Sequence, residues 1–324
     1  FGRLLGHDNF VWAIDISAES NRVVSAGLDG TVLAWDLTTG EAIDATYAHG
    51  TAPVTLGFSS NGEVIAIVDE AGRIHLLDPA DLHPAGEPGQ PSIAGTSLRF
   101  FDDDTIVVLG SAQGVFEVWD IETSESVGFI DFEPIDGLWA VDISPDGTSI
   151  AGGTDTGDVA IWDVATGDLR TGPTALHDGI IYSVAWSPDS STVATTSLDR
   201  SLGLTDGATG EPMPLLSGHE EGVLWVDWSP DGSRLVSTGF DGTVRLWNAA
   251  DGSPFGDALR AHTNSTSMVT WADDDDVIVS ASDDLSIMVW DVEPAEAVTG
   301  TFDTGVGIRE IEWAGESFWA ADDS

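Results

Sequence analysis

Short apolar runs separated by Gly, Pro, Asn and Asp follow one another along the whole chain. The clearest unit is Val236–Asn248, in which two β-branched runs flank Asp241-Gly242 and a tryptophan closes the second run. An Asp-Gly pair between apolar runs predicts a tight β-hairpin, because glycine tolerates the positive φ of the turn. The same unit returns at Val24–Asp36 and at Val279–Asp291.

This unit recurs with a period of 42 or 43 residues. Seven complete repeats end near Asp36, Asp78, Asp120, Asp163, Asp206, Asn248 and Asp291. A partial repeat covers residues 298–324, and a second series of bulky apolar residues, from Ile16 to Trp313, has the same spacing. Two series with one period predict a tandem array that fills residues 1–324 as a single domain without a linker.

The order of elements within each period is constant. An apolar strand comes first, and a polar turn such as Ser229-Pro-Asp-Gly232 leads into the two strands of the hairpin. A Thr-Gly turn then precedes a more polar fourth strand. No segment shows a sustained 3.6-residue period, so we predict an all-β fold. Four-stranded antiparallel units of this length stack radially, which leaves only short sheet edges.

Gly6-His7 near the start of a repeat and Trp35-Asp36 at its end resemble the WD-repeat β-propeller family, and the resemblance covers essentially the whole chain. It implies four-stranded antiparallel blades. Seven blades, the usual family number, are favoured, while strand counting also allows eight, with Phe1–Leu5 completing the last blade. Departures from the family pattern occur in copies two to five, at Leu77, Pro91, Pro134 and Thr205. We expect these copies to depend more on packing than on the polar network of the family, which is described next.

Histidine, serine and aspartate, the side-chain types of a serine hydrolase, occur at His7, Ser25 and Asp29. Three other copies repeat the spacing of 18 residues from histidine to hydroxyl and 22 from histidine to aspartate. Catalytic groups need one pocket with an oxyanion hole, so four dispersed copies favour a structural role. The resemblance implies a hydrogen-bond network from tryptophan through hydroxyl and histidine to aspartate. Its predicted members are His7, Ser25, Asp29, Trp35, His177, Thr195, Asp199, His219, Ser237, Asp241, Trp247, His262, Ser280, Asp284 and Trp290.

The resemblance also implies that partners dock on the face that carries the loops between blades and the turn before the conserved aspartate. Candidate partner-binding residues are therefore apolar side chains shortly after the histidine or just before the aspartate. They are Phe10, Trp12, Leu28, Trp139, Ile180, Tyr182, Leu198, Leu224 and Phe240. Copies four to six are adjacent, so their members are expected to form one apolar surface of the kind that marks interfaces. Packing between blades or against the channel is the alternative.

The chain carries 10 basic residues, all of them arginine, against 56 acidic residues, for a formal net charge of −46. Such a surface repels phosphate backbones and anionic lipid, so we expect no direct nucleic-acid or membrane binding. A high-GC genome or a salty habitat accounts for the composition most simply. A dedicated cationic partner is the alternative.

No cofactor or metal site is predicted. The chain has no cysteine, which excludes disulfides and thiolate zinc sites. The carboxylate runs 102–104 and 273–276 lack the spacing of a calcium-binding EF-hand. Asp15, Asp142 and Asp227 occupy one repeated position on the innermost strands, where solvated carboxylates are expected.

We therefore expect a non-enzymatic protein–protein interaction scaffold. Resemblance to bacterial WD-repeat arrays implies the sensing or assembly module of a larger regulatory protein, whose partners are other proteins, peptides or further domains of the same chain. The alternative is a hydrolase or lyase that works in the central channel, which would require a cluster of His, carboxylate or Arg that does not repeat. Because the sequence begins at Phe1, we expect a fragment, which leaves a signal peptide open; cytoplasmic location is the expectation.

Overall fold

The computed structural model describes residues 3–48, 50, 53–59, 61–86, 88–91, 97–100, 105–110, 115–132, 135–272, 276–292, 311–314 and 317–320. All regular secondary structure in these segments is β-strand, which confirms the predicted all-β fold. In that part of the chain, no helical segment has the length and apolar character needed to cross a membrane.

Within these segments the strands form seven sheets of three or four antiparallel strands and one two-stranded sheet. Sheet 7 contains β1 (Arg3–Leu5), and sheet 1 contains β2 (Val11–Ser17), β3 (Arg22–Gly27), β4 (Thr31–Asp36) and β5 (Ala42–Ala48). Sheet 2 contains β6 (Pro53–Phe58), β7 (Ile65–Asp69) and β8 (Ile74–Leu77), and sheet 3 contains β9 (Ser97–Phe100), β10 (Thr105–Gly110), β11 (Val115–Asp120) and β12 (Glu125–Asp131). Sheet 4 contains β13 (Leu138–Ile143), β14 (Ser149–Thr154), β15 (Asp158–Asp163) and β16 (Leu169–Ala175).

Sheet 5 contains β17 (Ile181–Trp186), β18 (Thr192–Ser197), β19 (Ser201–Asp206) and β20 (Leu216–Ser217). Sheet 6 contains β21 (Val223–Trp228), β22 (Arg234–Gly239) and β23 (Val244–Asn248). The other strands of sheet 7 are β24 (Thr266–Trp271), β25 (Val277–Ser282) and β26 (Ser286–Asp291). The two-stranded sheet pairs β27 (Ile311–Ala314) with β28 (Ser317–Ala320).

The first strands of successive sheets contact one another in the order β2, β6, β9, β13, β17, β21, β24, and β24 contacts β2 in turn. This closed cycle is the architecture of a β-propeller. The N-terminal strand completes sheet 7, because β1 pairs with β26 and places Leu4 opposite Ile287. The two ends of the ring are thereby joined by hydrogen bonds rather than left as an open edge. The blade count of the full chain stays a prediction, since β27 and β28 form a further sheet.

The middle strands carry most of the core. The strands β14 and β22 are buried along their whole length, whereas the outer strand β16 is largely exposed. Trp162 and Trp247, each at the end of a third strand, are the largest fully buried side chains in the described segments. The middle strands are covered by neighbouring sheets of the ring, so their polar side chains, such as Thr195 and Ser237, are buried together with the apolar ones.

The predicted Asp-Gly hairpin turns have the left-handed backbone conformation that favours glycine. The φ angle is +78° at Gly30 and +69° at Gly242. A Cβ at Gly242 would also lie 2.8 Å from the carbonyl oxygen of Asn264. At the equivalent turns of sheets 5 and 7, Arg200 and Leu285 adopt φ angles of +77° and +69°. Their side chains make this conformation costly, so both turns are strained.

Candidate functional site

A buried network of histidine, hydroxyl and aspartate occurs in sheets 1, 5, 6 and 7. In sheet 6, His219 Nε2 lies 2.9 Å from Ser237 Oγ, and His219 Nδ1 lies 3.0 Å from Asp241 Oδ2. The corresponding pairs in the other sheets are His7–Ser25 at 2.6 Å, His177–Thr195 at 2.8 Å and His262–Ser280 at 2.8 Å. Their histidine–aspartate pairs are His7–Asp29 at 3.0 Å, His177–Asp199 at 3.1 Å and His262–Asp284 at 3.3 Å. The fold thus brings together side chains that the sequence places 18 and 22 residues apart.

One arrangement of protons satisfies all of these contacts. The indole N–H groups of Trp247 and Trp290 donate to Ser237 Oγ and Ser280 Oγ, at 2.9 and 2.8 Å. Each serine hydroxyl is then free to donate to histidine Nε2, which leaves Nδ1–H to donate to the aspartate. A neutral imidazole therefore fits the network. In sheet 1, the rings of Trp35 and His7 lie 6.4 Å apart between centroids.

The aspartate of each network accepts several hydrogen bonds. Asp241 receives them from the backbone N–H of Glu220 at 2.9 Å and from the Thr243 hydroxyl at 2.7 Å, besides the histidine. Burial raises the pKa of Asp241, but these hydrogen bonds and the attraction of His219 outweigh it, so the pKa lies below its usual range. The pKa is also lowered for Asp29, Asp199 and Asp284.

Burial acts on the histidines in the opposite sense. It lowers the pKa of His7, His177 and His262, because a buried imidazolium loses its hydration. The neighbouring aspartates raise these pKa values, but by less than burial lowers them. His7, His177 and His262 are therefore neutral beside ionised aspartates at neutral pH.

The hydroxyls of these networks are out of reach of a substrate. Ser25, Thr195, Ser237 and Ser280 are each 0% exposed. A nucleophile has to contact the group that it attacks, which these buried oxygens cannot do. The networks instead fasten the loop that enters a sheet to the second strand and the hairpin turn of that sheet.

Two sheets depart from this arrangement as the sequence predicts. In sheet 5, Thr205 Oγ1 is buried without a hydrogen-bond partner among the described residues, so the tryptophan end of the network is missing. In sheet 4, Gly152 takes the place of the hydroxyl, and a Cβ there would lie 2.8 Å from Trp162. Trp162 packs edge-on against Phe132, with ring centroids 6.2 Å apart. Packing around Trp162 therefore occupies the position that the hydroxyl holds in the sheets with a histidine network.

Sheet 2 contains a polar network that the repeat pattern does not predict. Asp69 Oδ2 accepts hydrogen bonds from Arg73 Nε at 2.8 Å and from His75 Nε2 at 3.0 Å. The Tyr47 hydroxyl, on β5 of sheet 1, lies 2.8 Å from His75 Nδ1. Burial raises the pKa of Asp69, but hydrogen bonds from His75 and Arg73 lower it to about 2. Sheet 2 therefore has a different set of polar contacts in place of the histidine–hydroxyl–aspartate network.

Three aspartates on the first strands join neighbouring sheets. Their carboxylates accept backbone hydrogen bonds in the pairs Asp15–Phe58 at 2.8 Å, Asp142–Trp186 at 2.9 Å and Asp227–Trp271 at 3.1 Å. These pairs connect sheet 1 to sheet 2, sheet 4 to sheet 5 and sheet 6 to sheet 7. The expectation that these carboxylates only face solvent is corrected accordingly, because each satisfies a backbone N–H of the next sheet.

A β-bulge lies near the start of the first strand in sheets 1, 2, 4, 5, 6 and 7. The shift of register leaves unpaired Trp12, Val54, Trp139, Tyr182, Leu224 and Ser267. A bulge redirects the side chain of the unpaired residue. Trp12 and Trp139 are 49% and 52% exposed at this position.

The predicted partner-binding residues differ in how much surface they offer. Phe10 and Phe240 are 41% and 42% exposed, similar to the two tryptophans at the bulges. Partial exposure is found for Leu28, Ile180, Tyr182 and Leu198. Leu224 is only 9% exposed, so its side chain offers little surface to a partner.

The apolar side chains of sheets 4, 5 and 6 lie next to one another. The rings of Trp139 and Tyr182 are 5.9 Å apart between centroids and tilted by 51°. Gly222 lies between Leu198 and Phe240, since a Cβ there would be 2.8 Å from one side chain and 3.3 Å from the other. We call Trp139, Ile180, Tyr182, Leu198 and Phe240 the crescent. Phe10, Trp12 and Leu28 form a separate group, because sheet 7 stands between sheets 6 and 1.

The family model described as WD domain, G-beta repeat matches residues 2–36, 133–163, 173–206, 210–248 and 255–291, more than half of the chain. The chain belongs to the WD-repeat family. It is similar to the guanine nucleotide-binding protein subunit beta of Oryza sativa subsp. japonica, with 25% identity over 228 residues, 66% of this chain and 60% of that protein. It is also similar to the WD repeat-containing protein SL1-17 of Schistosoma mansoni, with 28% identity over 168 residues, 51% of this chain and 54% of that protein. The chain thus spans less than two thirds of the length of these relatives.

Four of the five matched segments contain a histidine network, and the fifth, residues 133–163, contains sheet 4, where Gly152 takes the place of the hydroxyl. All four networks lie in matched segments, whereas residues 37–132, which contain sheets 2 and 3, lie outside them. Sheet 2 is also where Asp69, Arg73 and His75 form the different network. Departure from the WD pattern in the sequence therefore accompanies a change in the polar contacts.

Of the two carboxylate runs in the sequence, 102–104 and 273–276, the described residues include only Asp276. Among the residues that the structure does describe, no group of three or more His, Asp or Glu side chains is arranged to hold a metal ion.

Proposed function

We propose that this WD-repeat ring is a non-enzymatic scaffold that binds other proteins or peptides through the face that carries the crescent. The supporting observation is the exposure of Trp139, at a β-bulge, and of Phe240 in the crescent, where the rings of Trp139 and Tyr182 lie 5.9 Å apart. Exposed aromatic groups in a contiguous patch mark interfaces, and Trp and Tyr contribute much of the energy of binding.

The non-enzymatic role is supported by the burial of the hydroxyls that imitate a catalytic nucleophile. Ser25, Ser237 and Ser280 are 0% exposed, and their histidines are engaged with aspartates in every copy. The unrepeated network around Asp69 lies on the second and third strands of sheet 2 rather than on innermost strands. It offers no support for chemistry in the central channel.

The relatives support a role within an assembly. One of them is named as a subunit of a guanine nucleotide-binding protein, and a ring of this family has many equivalent loops with which to contact other chains. We extend the proposal to a sensing or assembly module of a larger regulatory protein in the cytoplasm. Its partners are then proteins, peptides or further domains of the same parent chain.

The test is affinity capture with purified wild-type protein and a Tyr182→Ser/Phe240→Ser variant, followed by calorimetric titration of each captured protein. The matched control is Val127→Ser/Phe129→Ser, which removes two side chains that are 61% and 53% exposed on β12 of sheet 3. We expect a partner that the wild type and the control bind and the crescent variant loses, with thermal unfolding unchanged. Partners that all three proteins bind equally would show that the crescent is not the interface.

A further inference from the structure

Trp139 and Tyr182 form an open aromatic corner at the junction of sheets 4 and 5. The tryptophan is 52% exposed and the tyrosine partly exposed, and their rings are tilted by 51° at a centroid distance of 5.9 Å. Two tilted rings at this distance leave ring faces open to one incoming group. A cation within about 6 Å of a ring face is attracted by the ring quadrupole, in addition to the burial of its aliphatic stem.

Carboxylates occur in the loops that enter sheets 4 and 5 and in the hairpin turn of sheet 4. Asp136 precedes Trp139 by three residues and is exposed. The carboxylate of Asp155 lies over Gly137, where an added Cβ would overlap Oδ1. Asp178 donates its backbone N–H to Asp199 at 3.0 Å, while its own side chain is exposed. The loops that lead into the strands of both aromatic residues thus carry negative charge.

Positive charge on this face is sparse. Arg200, at the turn of sheet 5, is exposed. Arg260 lies 3.5 Å from Glu220 Oε1, and Arg3 lies 3.9 Å from Asp284 Oδ2. A partner with positive charge therefore meets complementary potential over the crescent, whereas an acidic partner is repelled.

We propose that the crescent binds a segment rich in arginine or lysine, with a cationic side chain seated on Trp139 and Tyr182 and its neighbours paired with Asp136, Asp155 and Asp178. This inference rests on the proposed scaffold function and specifies the chemistry of the partner. A net charge of −46 alone would attract cations to any part of the surface. The crescent is proposed as the binding site, rather than another part of the acidic surface, because exposed aromatic rings and carboxylates occur together there.

Fluorescence anisotropy with labelled peptides tests this inference. The peptides are identical except for arginine, lysine or glutamate at alternate positions, and the full chain is the titrant at low and high NaCl. We expect binding of the arginine and lysine peptides, no binding of the glutamate peptide, and weaker binding at high salt. A Trp139→Ser/Tyr182→Ser variant should lose about tenfold in affinity, as removal of a partly desolvated cation–π contact predicts.

Charge variants keep the test decisive even if the aromatic variant unfolds. Asp136→Asn/Asp178→Asn changes two exposed loop side chains and should weaken the cationic peptides severalfold. The matched control Glu122→Gln/Glu125→Gln changes two exposed carboxylates beside β12 and should not. An equal loss in both charge variants would mean that the peptides coat the acidic surface at large, and the inference would be overturned.

The affinity capture described under the proposed function separates this inference from the scaffold proposal. If a captured partner depends on Tyr182 and Phe240 but contacts them through an acidic or purely apolar segment, the cationic inference fails and the scaffold remains. If no captured partner depends on those residues, the scaffold proposal itself fails.

Discussion

Ser237 Oγ accepts a hydrogen bond from the indole of Trp247 and donates one to His219, so two buried polar groups depend on a single hydroxyl. Each of these groups would lose hydration without a partner in the core. The four histidine networks are stable because every donor in the chain from hydroxyl to aspartate has an acceptor. Removal of one link leaves its neighbours buried and unpaired.

Substitution Ser237→Ala should therefore destabilise the protein by about 1–3 kcal/mol, because it leaves the Trp247 indole and His219 Nε2 without partners. Urea denaturation followed by tryptophan fluorescence measures this change. Ser126→Ala, at an exposed serine on β12, is the control and should change stability by less than about 0.5 kcal/mol. Equal effects of the two substitutions would contradict the role assigned to Ser237.

Acidification should destabilise the fold before the aspartates titrate. The pKa values of His7, His177 and His262 are lowered in the folded state, so the unfolded chain binds more protons as the pH falls. The stability of these sites is fully present above the unfolded pKa of about 6.5 and is lost as the pH falls below it. Calorimetry should show a falling Tm below that pH. A constant Tm there, or imidazole NMR titrations at or above that pH, would contradict this.

The strained turn at Arg200 offers a gain in stability. Arg200→Gly relieves a positive φ of +77° and should stabilise the protein by about 1 kcal/mol. Gly242→Ala, at the equivalent turn of sheet 6, should have the opposite sign, because its φ is +69° and its Cβ would meet the carbonyl of Asn264. Chemical denaturation of both variants measures the two signs, and the same sign for both would show that backbone strain does not govern these turns.

Among the elements, sheet 2 has a polar network that connects it to the preceding sheet. Tyr47 on β5 reaches His75 on β8, and His75 in turn holds Asp69 at the end of β7. This network ties sheet 1 to sheet 2, whereas a histidine network ties a loop to its own sheet. The Asp15–Phe58 hydrogen bond joins the same two sheets along their first strands.

Tyr47→Phe removes the hydroxyl that links the two sheets and should destabilise the protein by about 1 kcal/mol. Tyr182→Phe is a matched control, since the chain has 2 tyrosines and Tyr182 is partly exposed in the crescent. Thermal unfolding of the two variants provides the comparison. If Tyr182→Phe lowers Tm as much as Tyr47→Phe, the link between sheets 1 and 2 is not a source of stability.

The sequence predicts the side chains whose spacing repeats and misses contacts between sheets and shifts of strand pairing. His7, Ser25 and Asp29 could be found because their spacing returns in other copies. Tyr47 and His75 could not, because they come together across two sheets and no other copy repeats their spacing. The bulge at Trp12 also escaped the pattern, since apolar alternation does not reveal a one-residue shift of pairing.

At the scale of the whole molecule, the face that carries the crescent depends on closure of the ring. The number of strands in the sequence is compatible with seven or eight blades, because it does not specify which strand edges pair. The structure places β1 beside β26, with Arg3 opposite Met288, and β2 in contact with β24. Adjacent sheets then present their bulges and turns on one rim, as a surface for partners requires.

Crosslinking of this junction is the most direct test of that account. The chain has no cysteine of its own, so an Arg3→Cys/Met288→Cys variant contains a single pair of thiols on facing positions of β1 and β26. Facing residues of antiparallel strands lie within disulfide range, at Cα separations of about 4.5–5.5 Å. We predict complete oxidation to an intramolecular disulfide and a raised Tm, while an Arg3→Cys/Met213→Cys control keeps free thiols. Free thiols in the folded Arg3→Cys/Met288→Cys variant would contradict a ring closed by the N-terminal strand.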